Sequence, residues 1–363
     1  MGHLRLMLAV CVIIDHTQLI FGRRMFGGSN AVEAFFMISG FYMAMILNEK
    51  YIGVGSYFKF ISNRFLKIYP VYYVCMVLIL VVSLLFWCFN NDSLRIGPYF
   101  NYFNEIPFSA KSLLIFSNLF IFGQDLVMFS GVDVHSGIFY FTNDFRTSSP
   151  QLYNLLLNPP AWSISVELMF YLIAPFIVRR DCWLISVLAM LSIFVKFYIT
   201  KIIGWDYDPW TYRFFLSELS FFLLGTLAYK IVTPLVKKLA ISDKCNFIYL
   251  AFLLSFIIFY EDIYFPGKIF VIFIMLFFGI PIIFEFTKKS KFDKFIGELS
   301  YPVYLIHLII NYAIVSAFSK TAVISYKGEI VVVISIVISV IIMIFVIKPI
   351  DAYRQRRLIK INS

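Results

Sequence analysis

The sequence predicts an all-α integral membrane protein, a bundle of about ten transmembrane helices with a re-entrant or surface segment near 112–129. Three observations predict it. Hydrophobic residues make up 61% of the chain and charged residues 14%, and mean hydropathy is +0.85, a composition foreign to soluble globular domains. The apolar residues are gathered into runs of roughly the 20 residues that a bilayer-spanning helix needs. The Lys and Arg residues punctuate these runs in clusters, so the net charge of +10 reads as membrane topology and not as a nucleic-acid surface.

In chain order the apolar runs fall at 4–22, 31–48, 68–89, 112–129, 159–178, 182–203, 214–232, 246–260, 269–287, 297–318 and 329–347. The first is expected to be a retained span, because it carries His16 and lacks a small-residue cleavage site. Basic clusters lie at Lys50 to Lys67, Arg179-Arg180, Lys237-Lys238, Lys288-Lys289-Lys291 and Arg354 to Arg357. The positive-inside rule asks that all face the cytoplasm, which is possible only if one run does not cross. Run 112–129 carries Asn118, Gln124 and Asp125 and is the weakest, so both termini are expected to be cytoplasmic. The stretch from Asn90 to Asn158 then becomes one long extracytoplasmic region, with a substrate-side lid as one possible role. The whole chain, 1–363, is expected to form a single membrane domain. Cys11, Cys75, Cys88, Cys182 and Cys245 are scattered without a C-x-x-C pair, so neither a disulfide framework nor a metal site is expected.

Ionisable side chains at membrane depth are costly and mark function by default. Arg5 lies near the cytoplasmic mouth of the first span. His16, eleven residues on, falls about 16 Å deeper on the same helix face. Such a pair can hold an anion at the inner face and place a base deeper in the bilayer; it can also consist of a snorkelling Arg and a packing His. Arg64 and Lys67, one turn apart just before the third span, can hold phosphate groups or merely fix topology. Trp162 suits a belt residue at the outer start of its span. Glu167, about a turn and a half inside the same span, needs a cavity or a cationic partner, and Glu33 and His307 pose the same demand.

These segments occur together and in one order, and with them the sequence resembles the acyltransferase 3 family of bacterial membrane acyltransferases. The residues that carry the resemblance are Arg5 and His16 with ten residues between them and the aromatic segment Val32 to Ser39-Gly40-Phe41. They continue with the basic pair in Arg64-Phe65-Leu66-Lys67-Ile68-Tyr69-Pro70, Trp162-Ser163-Ile164-Ser165-Val166-Glu167, and Leu299-Ser300-Tyr301-Pro302-Val303-Tyr304-Leu305-Ile306-His307. The resemblance covers essentially the whole chain. It implies transfer of an acyl group, most often acetyl from acetyl-CoA, across the membrane onto a hydroxyl of a glycan. It further implies that His16 is the catalytic histidine and that Arg5 is its partner in handling the donor. Arg64 and Lys67 take the place of the family's Arg-x-x-Arg pair. Lys67 departs from that pattern, keeping the charge but losing the bidentate contact of Arg, and Glu33 stands where Asp is common. Many relatives carry an extra extracytoplasmic hydrolase-like domain; none is expected here.

The expected chemistry places acyl-CoA, a donor substrate and not a resident cofactor, with its phosphates on Arg5, Arg64 and Lys67. A neutral imidazole at His16 then either deprotonates the attacking hydroxyl or carries the acyl group itself. Asp15 is adjacent on the helix and points elsewhere, so Glu33 is favoured to orient His16. Trp162, Ser163, Glu167, Tyr301 and His307 are read as polar cavity or structural residues. Trp205, Tyr207, Trp210 and Tyr212 are read as interfacial anchors of an outer loop in preference to sugar-stacking residues. The expected setting is the bacterial inner membrane, with a cell-envelope glycan such as O-antigen or exopolysaccharide as acceptor, free or lipid-linked. The alternative is a transporter or flippase of a glycolipid or polysaccharide precursor, which ought to show broken helices repeated in two halves; no such repeat is found.

Overall fold

The computed structural model describes the backbone of residues 1–362 and the side chains of residues 1–357. In chain order the helices are α1 (Gly2–His16), α2 (Gly28–Glu49) and α3 (Ser56–Asn90), then α4 (Gly97–Tyr102), α5 (Phe108–Phe120) and α6 (Gln124–Val127). A hairpin of β1 (Ser130–Asp133) and β2 (Ile138–Phe141) follows. The chain continues with α7 (Trp162–Ile177), α8 (Cys182–Phe197), α9 (Phe215–Leu227), α10 (Thr233–Leu239) and α11 (Asp243–Ile258). It closes with α12 (Lys268–Thr287), α13 (Lys291–Phe318), α14 (Lys327–Ile342) and α15 (Lys348–Asn362). Single π-helical turns join α9 to α10 and α14 to α15.

Among the described residues eight helices are long and apolar enough to cross a membrane. The shorter α1, of 15 residues, and α11, of 16, lie against α13 and α12 respectively. With them the bundle has ten helices among the described residues, two of them shorter than a full span. Its helices alternate in direction and place the basic clusters at one end, called here the basic end. The opposite, far end holds residues 17–27, the 91–161 region and the loops near 203–214, 259–267 and 319–326.

The centre is made by α1, α2, α9 and α13. In α2, 78% of the most apolar window is buried, against 28% in α3. Glycines allow the closest approaches. A Cβ at Gly40 would overlap the carbonyl of Phe222, and one at Gly225 would overlap the carbonyl of Met37, so α2 and α9 cross backbone against backbone as small residues permit. Gly40→Ala or Gly225→Ala is therefore expected to destabilise the protein by about 1–3 kcal/mol through overpacking. Thermal unfolding in detergent reads this as a lower Tm, and an unchanged Tm contradicts the crossing.

The 112–129 run does not cross. Helix α5 has 13 residues, about 20 Å against a hydrocarbon core of about 30 Å. The chain turns back where Ile121 and Gly123 adopt positive φ. The last carbonyls of a helix lack partners of their own. Here Tyr72 donates its hydroxyl to the carbonyl of Asn118 at 2.6 Å and Tyr73 to that of Leu119 at 2.9 Å, while Tyr69 donates to that of Phe120. Three tyrosines of α3 thus satisfy a helix end that the membrane could not. The Asn90–Asn158 region is also more ordered than a loop: Ile106, Leu114, Val127, Met128, Phe145 and Leu155 are among the residues of its own small core.

Candidate active site

A cavity of about 490 Å³ enters the bundle from the basic end, between α1, α2, α3, α7 and α13. Arg5, Arg64 and Lys67 line it together with Lys50, Lys288 and Lys294, and deeper in lie Ser39, Ser163, Glu167, Tyr171, Tyr301 and Tyr304. The sequence placed Arg64 and Lys67 at the end of a loop, but α3 begins at Ser56. Both are therefore on the helix, with backbone positions already fixed. The Arg5 guanidinium lies against Gly297. The Arg64 guanidinium sits 5.8 Å from the Phe60 ring centre and 5.9 Å from that of Tyr171, and its Nε is buried without a partner. Lys67 is partly neutralised by Glu298 at 3.9 Å. Glu167 faces this cavity, as its depth demands, and accepts hydrogen bonds from Ser39 and Tyr171. Tyr301 donates to the carbonyl of Ile68 at 3.1 Å, tying α13 to α3.

Tyr304 ends the cavity. Its hydroxyl donates to the carbonyl of Pro160 at 2.8 Å and meets Ser163 Oγ at 2.7 Å. Ser163 therefore belongs to the inner cavity, whereas its neighbour Trp162 faces the far end, edge-on to Tyr212 and beneath the Arg213 guanidinium at 4.3 Å.

His16 is not part of this cavity. It is the last residue of α1, exposed at the far end, because the chain leaves the helix at Thr17 and the first apolar run ends six residues early. His16 Nδ1 lies 3.0 Å from the carbonyl of Val12 and 3.2 Å from His307 Nε2. His307 is fully buried, and its Nδ1 lies 2.7 Å from the carbonyl of Tyr304. Carbonyl oxygens only accept, so both Nδ1 atoms carry protons. His307 Nε2 is then an acceptor for the Nδ1–H of His16. What remains is His16 Nε2, a free lone pair on an exposed ring.

This geometry corrects one expectation. Glu33 does not orient His16: its carboxylate accepts from Lys196 Nζ at 2.6 Å, and the same ammonium reaches Glu218 at 3.1 Å. Five residues into α2, Glu33 faces α8 and α9, away from α1. Orientation falls instead to His307 and the Val12 carbonyl. Asp15 does point elsewhere, accepting from Gly28 N at 2.5 Å and Arg24 Nε at 3.1 Å, so that it caps the start of α2. The Lys196 cluster is a structural element. Lys196→Met leaves two buried carboxylates without their cation and is expected to cost about 3–5 kcal/mol, seen as a large drop in Tm; an equal Tm contradicts the pairing.

The outer aromatic loop is likewise not a set of interfacial anchors alone. Trp210 is buried and donates Nε1–H to the carbonyl of Asn143 at 2.9 Å. Arg213 is held by Asp208, with contacts of 2.5 and 3.1 Å, and donates to the Tyr212 hydroxyl at 2.7 Å. Its charge is felt at His16. Burial pushes the Tyr212 phenol up to about 12, so at neutral pH it stays protonated. Sequence reasoning missed Arg213 and Lys196. The available signal for each was one cation within a long apolar or aromatic stretch, outside the basic clusters.

Among the described residues no group of His, Cys, Asp and Glu side chains is arranged to hold a metal ion. The two-ended site gains its context from comparison: a family model described as an acyltransferase domain matches residues 1–348. The chain belongs to the acyltransferase 3 family. No curated protein and no solved structure matches it. Tyr304 stands between the two ends: it lines the cavity, and its carbonyl meets His307 of the histidine pair.

Proposed function

We propose that the protein is an O-acyltransferase that moves an acyl group, acetyl in the first instance, from cytoplasmic acyl-CoA to a hydroxyl of a cell-envelope glycan. The observation that carries this reading is the division of the site into a cationic cavity at the basic end and a histidine with a free Nε2 at the far end. The positive-inside rule puts the basic end in the cytoplasm of a bacterial inner membrane, with both termini on that side. Donor phosphates then rest on Arg5, Arg64 and Lys67, while the thioester passes Glu167 and Ser163 towards Tyr304.

At the far end His16 Nε2 takes the proton of the acceptor hydroxyl as its oxygen attacks the thioester carbonyl. The C–S bond breaks, the thiolate leaves into the cavity, and the proton on Nε2 neutralises it. Glu33 supports this chemistry at a distance, by fixing α2 to α8 and α9. An acyl-imidazole intermediate on the same Nε2 is the second route; rapid quenching without acceptor separates the two, since only this route leaves acyl label on the protein. A flippase or transporter reading gives no role to an exposed imidazole held in one tautomer.

The test is mass spectrometry of envelope glycans from cells expressing the protein or its His16→Ala variant at equal levels. An added acyl mass that disappears with His16→Ala supports the reading. No added mass in any glycan, or one that survives the substitution, overturns it.

A further inference from the structure

Three carboxylates line the cationic cavity: Glu167, Asp293 and Glu298. Two of them are taken. Asp293 accepts from Gly2 N at 2.8 Å with one oxygen and meets His3 Nδ1 at 2.7 Å with the other, and Glu298 lies 3.9 Å from Lys67 Nζ. Glu167 is different. Among the described residues its hydrogen bonds, from Ser39 and Tyr171, both end on Oε1. Its Oε2 receives none and is not among the buried atoms that lack a partner, so it opens into the cavity that the residue lines. A carboxylate oxygen without a partner is costly at membrane depth, and in a cavity that takes phosphates it opposes binding unless the ligand brings it a hydrogen-bond donor.

The order of groups along α7 says where on the ligand that donor lies. Counted from the basic end, Tyr171 sits against the Arg64 guanidinium, Glu167 comes one turn deeper, and Ser163, which meets Tyr304, comes one turn beyond. Each step is about 6 Å. A ligand entering from the basic end therefore meets cation, carboxylate and hydroxyl in turn. Acyl-CoA presents phosphates, then an arm with two secondary amides, then the thioester. An acyl phosphate would satisfy the cations and offer Glu167 no donor. Resting on the acyl-CoA reading above, we infer that Glu167 is a donor-specificity residue whose Oε2 accepts a hydrogen bond from an amide N–H of the pantetheine arm. It selects coenzyme A thioesters over other anionic acyl donors.

The experiment measures equilibrium binding to the full chain purified in detergent. The probes are coenzyme A and the two analogues in which one or the other pantetheine amide is replaced by an ester, which keeps the carbonyl and loses the N–H. In the wild type one analogue is expected to bind about tenfold more weakly than coenzyme A. Glu167→Gln keeps an oxygen for Ser39 and Tyr171 and puts an amide NH2 in place of Oε2. It is expected to weaken coenzyme A by about the same factor and to leave that analogue's Kd at the wild-type value, since the two changes remove one and the same bond. An equal loss on all three probes makes Glu167 a brace of the cavity and overturns the inference alone. So does a wild type that binds all three equally, a result that requires no variant to fold. A wild type that binds no coenzyme A overturns the acyl-CoA reading and the inference with it.

Discussion

Replacing His16 by Ala is expected to lower kcat for acyl transfer by about 10²–10⁴-fold, the range for loss of a positioned acid–base group, without loss of fold. The expectation comes from position. His16 ends α1 and is exposed, so its removal opens no core cavity, unlike loss of the buried Leu4 or Leu8 of the same helix. His307→Ala is expected to cost less, about tenfold, because the Val12 carbonyl still fixes the Nδ1–H tautomer when the second partner is gone. The order of the two losses discriminates between bases. If His307 were the reacting residue its removal would cost more, yet its Nε2 faces His16 and its ring is fully buried. Steady-state kinetics of the purified variants, with thermal unfolding as a control for folding, checks both.

Arg64→Ala is expected to raise the KM for acyl-CoA by about 10–100-fold, corresponding to loss of charge-assisted hydrogen bonds worth about 1.5–3 kcal/mol, with kcat at saturating donor near wild type. Among the cations of the cavity Arg64 has the strongest claim on a phosphate. Its Nε is buried and unpaired, and its guanidinium lies over the rings of Phe60 and Tyr171. Lys67 already answers Glu298, so Lys67→Ala is expected to raise the same KM by a smaller factor. Arg64→Lys should fall between, since it keeps charge without the planar fork. A fall in kcat with unchanged KM would place Arg64 in the chemistry and contradict donor binding.

The fold was legible where physics acts on composition. Apolar run length and basic clusters gave the number of bundle helices and the failure of 112–129 to cross, because a membrane constrains span length and satisfaction of the backbone more tightly than packing does. Helix ends were less legible. Nothing in the apolar run 4–22 marks a stop at His16, and the start at Ser56 is marked by the positive-φ Gly53 and Gly55 and not by hydropathy, which rises only near residue 68. The candidate site was legible as a residue set more than as a geometry. Arg5, Arg64, Lys67, Ser163, Glu167 and Tyr301 do meet in one cavity. The partner of His16 was misassigned, since a carboxylate near the start of α2 looks equally available to α1 and to α8 until Lys196 takes it.

In the proposed reaction donor and acceptor meet from opposite sides of the membrane. Sealed vesicles bearing the protein with its basic end outward, acceptor glycan trapped inside and radiolabelled acetyl-CoA added outside, test it directly. Label is expected on the trapped glycan, dependent on His16, and none on the same glycan placed only outside. Label on external glycan alone, with the trapped glycan unmodified, would contradict it.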